Sequence, residues 1–489
     1  MTPPGITLLG LGPGDPQLIT RQAWDVLQSC DELYLRTRRH PVVESLPDTI
    51  QVHSFDSLFE GELPLDEVDS QIVEQVIDLG QRPQGVIYAV PGHPYLGDAI
   101  SAEIARQAQA LGIPLRLIEG LSYIEPTLSA LGLAALPHSA IVDALELASW
   151  HVPPFPASAP VIIAQLHSQE LASAIKRTLM SLYPGAHGVK LIHAAGTSQM
   201  MVKSLELQAI DQSQQVGPTT CLYLPPLGSA TSFEAFQEII AHLRAPDGCP
   251  WDREQTHQTL RTHLLEETYE VLAALDKDDP EAMREEFGDL LLQVVLHAQI
   301  ASEYGEFTMA DVLQYIHTKI VNRHPHVFGD IELKDTQGVL RNWERLKAVE
   351  RAANGKGEAS LLDGVPAALP ALLQAEQYQR RAAHVGFDWP DVQGVLDKLN
   401  EELQEVHAAQ DRAERNDEIG DLLFAVVNLA RWYNIEPESA LREANRRFKD
   451  RFGYIEQQAR QQGRSIADLS LDEMEALWQV AKHEKWRHT

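Results

Sequence analysis

The residues whose types and spacing could do chemistry lie mainly in the C-terminal half. Glu401, Glu402 and Glu405 form an EExxE run, and Glu418 and Asp421 form an ExxD run shortly after it. On a helix, positions i and i+3 project from one face, so Glu402 points with Glu405 and Glu418 with Asp421. Two adjacent helices of this kind bring four carboxylates to one place. Uncompensated, they repel, and a cation relieves the repulsion. All-oxygen, carboxylate-rich ligation favours Mg²⁺, with Mn²⁺ as the alternative, over Zn²⁺. Further on, Arg447 and Arg451 lie one turn apart and could grip phosphate oxygens. Trp478 precedes Lys482 by one turn, setting an indole for stacking on a base beside an ammonium for phosphate. Acids, a divalent cation and basic groups together suit phosphoryl chemistry on a triphosphate. There Glu402, or its neighbour Glu401, takes the proton of an attacking water while Arg451 and Lys482 stabilise the leaving charge.

Each motif alone has a plain structural reading. A Glu-rich helix face is usually solvated, and Trp-x-x-x-Lys is usually a packing Trp with a surface Lys. The order of the motifs argues otherwise, because the whole series occurs twice. Glu267, Glu270, Glu286 and Asp289 precede Lys319 and Arg323, and then Trp343 and Lys347. The offset is 135 residues from Glu267 to Glu402 and 132 from Glu286 to Glu418. A repeat kept only for packing preserves an apolar stripe, not acids, basic pair and Trp-x-x-x-Lys together. One unit of about 130 residues therefore appears twice, the first copy being a second candidate site.

The elements that must position these groups follow from composition. Before residue 240 the chain reads as short β-branched runs, such as ITLLGLG, GVIYAV, LRLIEG, VIIAQL and VKLIHAAG, separated by Gly/Pro turns and helical stretches. Strands alternating with helices predict a largely parallel α/β sheet. After residue 240 the chain reads as long, charged, amphipathic helices. The expected architecture is multidomain: a two-lobed α/β domain over 1–240 (lobes about 1–112 and 113–240), then an all-α helical bundle in two repeats, 241–351 and 371–489, joined by an Ala/Gly/Pro-rich linker at 352–370.

The α/β half carries three punctuated loops, each after a predicted strand: Gly10-Leu11-Gly12-Pro13-Gly14, Pro91-Gly92-His93-Pro94 and Glu119-Gly120-Leu121-Ser122. The spacing is not that of a dinucleotide fingerprint. Three such loops imply a cleft at the strand C-termini, where open α/β sheets bind ligands. Its candidate cofactor-binding residues are Gly12, Pro13, Gly14, Gly92, His93, Leu121 and Ser122.

Charge and cysteine content narrow the function. A net charge of −30 opposes binding to duplex nucleic acid, which needs a field of Lys and Arg. Three scattered cysteines without a CxxC fit a reducing, cytoplasmic setting. No secretory signal is visible at the N-terminus, and no apolar run of about 18 residues suggests a membrane span. His324 and His326 straddle a Pro-broken loop and make poor metal geometry. Cys249 reads as structural, and Arg36, Arg38 and Arg39 as a solvated surface.

Residues 249–489 resemble the MazG nucleoside triphosphate pyrophosphohydrolases with two tandem repeats. The resemblance rests on CPWD (249–252), LLEETYEVL (264–272), EFGDLLLQVV (286–295), VGFDW (385–389), EELQEV (401–406), EIGDLLFAVVNLAR (418–431), ANRRFKDRF (444–452) and EALWQVAK (475–482). It implies a four-helix-bundle-like fold, Mg²⁺ dependence, dimerisation through the helical half, and cleavage of an NTP or dNTP to the monophosphate and pyrophosphate, in a nucleotide-pool house-cleaning role. Glu402, Glu405, Glu418 and Asp421 match the family's metal-binding acids, and Arg451, Trp478 and Lys482 its phosphate- and base-contacting residues. Arg447 stands where two-repeat relatives have Lys. Residues 5–228 are similar to the tetrapyrrole (corrin/porphyrin) methylases, through LGLGPGDPQLIT, the PGHP loop, EGLSYIEPTLSALGL and HAAGT. That similarity implies S-adenosylmethionine in the cleft between two lobes, although His93 stands where most methylases carry an acidic residue. The whole chain resembles the YabN-type fusion of the two domains. Two other readings stay open: a methyltransferase of a tetrapyrrole-like substrate whose helical half dimerises it, and a non-catalytic helical scaffold.

Overall fold

The computed structural model describes residues 5–59, 64–331 and 360–484, with 335, 338, 339, 342, 343, 345 and 346 between them. Lys347 and residues 352–359 of the expected linker lie outside the described residues. The chain forms two compact units, residues 1–314 and 315–489. The composition change near residue 240 thus falls inside the first of them.

The first unit opens with a five-stranded, wholly parallel sheet. Its order is β3-β2-β4-β1-β5, from β1 (Ile6–Gly10), β2 (Glu32–Leu35), β3 (Gln51–Ser54), β4 (Val86–Val90) and β5 (Leu115–Ile118). Strands β1 and β4 are buried along their whole length, as expected where helices cover both faces of a parallel sheet. One apolar cluster, with Ile72, Ile104 and Tyr88, and another, with Leu9, Leu27 and Leu33, provide that cover. Strand β5 belongs to this sheet although it follows the lobe boundary expected near residue 112.

The second sheet runs β6-β7-β10-β8-β9, from β6 (Ala140–Asp143), β7 (Val161–Ala164), β8 (Gly188–His193), β9 (Met201–Glu206) and β10 (Thr220–Leu224). Only β6 and β7 pair in parallel; the other three pairs are antiparallel. The α/β class holds, but the expectation of parallel pairing fails here. Strand β9 returns beside β8 through a short loop without a crossover helix, and that connection dictates antiparallel pairing.

The helices that carry the acids come next. In the first unit, α1 (Phe233–Arg244) packs against α3 (Pro280–Glu303), and α2 (Arg261–Lys277) forms a hairpin with α3. Helix α4 (Met309–Arg323) follows. The second unit contains α5 (Ala371–His384), the hairpin of α6 (Val392–Ala408) with α7 (Arg412–Trp432), then α8 (Pro437–Gln461) packed on α9 (Leu471–Glu484). Both hairpins are set by side-chain caps. Asp279 accepts from the backbone N–H of Glu281 and Ala282, and Asp411 from Ala413 and Glu414, which satisfies donors at each helix start. Among the described residues, no helix is long and apolar enough to cross a membrane.

Candidate active sites

The α6–α7 hairpin brings Glu402 and Glu405 of one helix to Glu418 of the other. One carboxylate oxygen from each lies within 4.8 Å of the other two. Glu402 is 4% exposed, and its Oε2 is buried without a hydrogen-bond partner. Its Oε1 accepts from the Lys398 ammonium at 2.7 Å, and the same ammonium donates to Glu401 at 2.8 Å. The Glu418 carboxyl is raised above its ordinary value, first by desolvation and then by Glu405, Glu402 and Asp421. A buried carboxylate oxygen without a donor, inside a cluster that resists full ionisation, fits a hard divalent cation with oxygen ligands.

Asp421 lies outside that tight triple but lines the same cavity as Glu402. The cavity has a volume of about 760 Å³ and also presents Lys398, Gln379, Trp389 and Arg431. Arg431 pairs with Asp388 at 2.5 Å. That pair helps hold the carboxyl of Asp388 below its ordinary value, against desolvation, the largest influence on it, which raises it. Arg447, Arg451, Trp478 and Lys482 do not line this cavity. Arg451 instead stacks over the Trp478 ring, 5.4 Å from its centroid, with the Phe448 ring 5.3 Å from the same indole. Arg447 bonds Glu443 within α8 at 2.8 Å, and Lys482 is exposed.

The first repeat reproduces both features. Glu267, Glu270 and Glu286 offer oxygens within 4.8 Å of one another. Glu267 and Glu286 are raised by desolvation and by their acidic neighbours, which include Asp289 for both. His263 holds Glu266 at 3.2 Å, at the position equivalent to Lys398. Arg323 stacks over Trp343, 5.4 Å from its centroid, and Lys319 lies over Tyr315 at 5.6 Å. The acids belong to the first compact unit and the Arg323–Trp343 pair to the second.

In the α/β half the three loops converge. Gly12 and Gly92 exchange backbone hydrogen bonds of 3.3 and 2.8 Å. A Cβ on Gly10 would lie 2.5 Å from the Gly120 nitrogen, and one on Gly120 would lie 2.2 Å from the Gly92 oxygen. Only glycine permits this backbone approach. A fourth segment joins them: the Asp15 N–H donates to Gly196 O at 2.9 Å, and Pro13 packs where a Cβ on Gly196 would stand. The His93 Nδ1 accepts from the Tyr95 N–H at 3.0 Å. Ser122 is buried; its N–H and hydroxyl donate to Glu125, and the Ile124 N–H donates to its oxygen. Leu121 lies in the same loop.

The other sequence features fall as follows. His324 Nδ1 lies 2.7 Å from Ile320 O and its ring meets Trp343 edge-on; the expected Pro-broken loop is instead a helical turn, Pro325–Phe328, with His324 at its N-cap. Burial pushes the Cys221 thiol up to about 12, and all three cysteines are free. The solvated-surface reading of the arginine cluster needs correction. Arg36 pairs with buried Asp98 at 2.5 Å, and Arg38 donates to Asp56 and Val52. Asp98 caps the helix Ala99–Leu111, so Arg36 neutralises a buried cap. Sequence reasoning also passed over Lys398 and Gln379. The signal for Lys398 was present, since it stands one turn before Glu402.

Comparison with known proteins identifies the families that the chain resembles. The family model for MazG nucleotide pyrophosphohydrolase domains matches residues 255–328. The model for tetrapyrrole (corrin/porphyrin) methylases matches residues 5–211, and that for phosphoribosyl-ATP pyrophosphohydrolase matches residues 374–448. YabN of Bacillus subtilis, described as an uncharacterized protein, is 38% identical over 99% of this chain and 99% of its own length. The nucleoside triphosphate pyrophosphohydrolase/pyrophosphatase MazG of Thermotoga maritima is 44% identical over 51% of this chain and 95% of its own. A crystal structure of uroporphyrin-III C-methyltransferase from Thermus thermophilus covers 45% of this chain at 19% identity with a TM-score of 0.35. The chain belongs to the MazG family of nucleoside triphosphate pyrophosphohydrolases, a class of hydrolases that act on acid anhydrides. Within that class it shares the full-length arrangement of YabN, with a methylase-like α/β domain ahead of the helical repeats.

Proposed function

We propose that this chain hydrolyses nucleoside triphosphates, ribo or deoxy, to the monophosphate and pyrophosphate, with Mg²⁺ as cofactor and the second repeat as the principal site. The observation that carries the reading is Glu402: nearly fully buried, with one oxygen lacking any donor, beside Glu405 and Glu418. The corresponding acids of the first repeat are half-buried or exposed. Glu402, Glu405 and Glu418, with Asp421 beside them, would hold the cation. When bound, Mg²⁺ supplies charge stabilisation on the phosphates and acidifies a water. Lys398 fixes the rotamer of Glu402. Glu401, outside the cluster, accepts the proton of the attacking water. The water oxygen bonds the α-phosphorus, the bond from that phosphorus to the bridging oxygen breaks, and pyrophosphate leaves. Arg447, Arg451 and Lys482 draw the phosphates in, and Trp478 holds Arg451 by its stacked face.

The domain assignment belongs to the same proposal: 1–240 methylase-like, 241–351 and 371–489 the repeats, 352–370 between them. Ile419, Leu423 and Val426 lie on one face of α7 at 45%, 52% and 46% exposure, which supports a homodimer through the helical half. The reading places the protein in the cytoplasm, in a house-cleaning role on the nucleotide pool. A second activity is favoured by one feature: the Gly10–Gly92–Gly120 convergence at the strand ends, a cradle suited to S-adenosylmethionine. Pyrophosphate release from a panel of dNTPs with Mg²⁺ tests the hydrolase, and calorimetry with S-adenosylmethionine tests the cradle.

A further inference from the structure

The segment between α1 and α2 is tied to α3 at two points. At the first, the Arg244 guanidinium of α1 donates to both oxygens of Glu303 at 2.8 and 2.7 Å, and also to Asp252 O and Gln255 O. At the second, His257 Nδ1 lies 2.7 Å from His297 Nδ1. The ring planes differ by 4° and the centroids are 5.0 Å apart. With the nitrogens so close, that separation requires them to point straight at each other, so the rings meet edge to edge. A zinc ion on that line needs about 4 Å between the nitrogens. At 2.7 Å they share a proton and nothing larger. Just beyond, Leu260 packs in one cluster with Val295, Leu296 and Ile300 of α3. The second repeat has Leu429 at the position of His297, 132 residues on, so the hairpin itself does not demand a histidine there.

Counting protons on this pair has a definite outcome. In the neutral pair one proton lies between the two Nδ1 atoms and one sits on an Nε2. Glu306 Oε2, in the loop after α3, is 4.0 Å from His257 Nε2 and draws the second proton there. His297 Nε2 is then bare; it is buried and has no partner. A third proton must go to that nitrogen, which buries an N–H without an acceptor and a charge without a counterion. A fourth sets two N–H groups head to head. The charges on the surrounding elements are already engaged or face water. Arg244 of α1 is paired with Glu303 of α3, Arg253 of the segment donates to Pro246 O, His263 and Glu266 of α2 hold each other at 3.2 Å, and Arg261 is exposed. The His297 ring is held below its ordinary value, first by desolvation and then by His257.

We propose that His257 and His297 form an acid-released latch. At neutral pH their shared proton holds residues 249–260 to α3; added protons free that segment and with it the start of α2, the helix of Glu267 and Glu270. Once open, both rings are solvated and titrate in the ordinary histidine range, about 6.5. The closed state binds fewer protons than the open one, so closure weakens as pH falls through that range. Hydrogen exchange of the full chain, read by mass spectrometry at about pH 7.5 and about pH 5 and corrected for intrinsic rates, tests this. Protection of residues 249–260 in the parent should fall at least about fivefold on acidification. Two variants remove the titration. His297→Leu copies the second repeat, and His257→Asn keeps an amide at the Nδ1 position. In each, the fall should be under about twofold, circular dichroism confirming the helical content. A fall below about fivefold in the parent would overturn the latch whatever the variants do. So would the parent's full fall retained in either variant that folds.

Discussion

The Lys398 ammonium lies 2.7 Å from Glu402 Oε1, while Glu402 Oε2 is buried without a partner. One cation of the protein thus neutralises half of a carboxylate whose other half faces the acid cluster. Removing Lys398 leaves a buried, unpaired charge. The Lys398 side chain is 38% exposed, so the loss is well below that of a fully buried pair: about 1–2 kcal/mol. Lys398→Met should therefore lower Tm by roughly 2–8 °C in chelator. Added Mn²⁺ should recover more of that loss than it adds to the parent. Scanning fluorimetry with and without Mn²⁺ measures both; an equal deficit in the two conditions contradicts this role.

Glu418 gives the opposite sign. Its folded-state carboxyl is raised above its ordinary value, first by desolvation and then by Glu405, Glu402 and Asp421. The folded state therefore binds more protons than the unfolded one from the ordinary carboxylate value upward, and this group's contribution to stability falls as pH rises through that window. At neutral pH in chelator, Glu418→Gln should raise Tm while pyrophosphate release falls on the order of 100-fold, the scale of losing one electrostatic stabiliser. The gain in Tm should shrink as pH falls toward the ordinary carboxylate range, because the raised carboxyl of the parent takes up its proton there. A lower Tm for the variant at neutral pH contradicts the repulsion argument.

The two repeats should differ in output. Glu286→Gln in the first repeat should change the rate less than about twofold, against the large loss at Glu418. Equal losses would make both repeats active.

Much of this architecture was legible in the sequence, and the failures share a cause. The i, i+3 spacing of Glu402 with Glu405 is a local property of one helix, and the structure brings these two beside Glu418, with Asp421 outside the tight group. Strands β1, β4, β5, β7 and β8 were likewise signalled by short β-branched runs, all but that of β7 leading into a glycine. What spacing could not give is contact between distant segments. Arg451 and Trp478 read as two separate ligand groups, yet they stack on each other. The direction of β8, β9 and β10 depends on which strands pair, not on their own composition. Arg36 looked like a surface charge because its partner, Asp98, lies 62 residues away.

The glycine cradle makes a structural prediction. A Cβ on Gly120 would lie 2.2 Å from Gly92 O and 2.8 Å from the Gly10 carbonyl carbon, all backbone. Gly120→Ala should cost about 1–3 kcal/mol and abolish any S-adenosylmethionine heat signal in calorimetry. Unchanged unfolding would contradict the close approach.

The α7 face makes a prediction about assembly. Leu423→Arg places a charge among exposed Ile419 and Val426, and should shift the mass measured by light scattering from two chains to one. A mass unchanged by the substitution would remove this face from the contact.

The most direct measurement is the product ratio from a nucleoside triphosphate and Mg²⁺, with the full chain and with Glu418→Gln. The account predicts monophosphate and pyrophosphate in equal amounts, with almost none from the variant. Release of orthophosphate and diphosphate, or full activity in the variant, would contradict it.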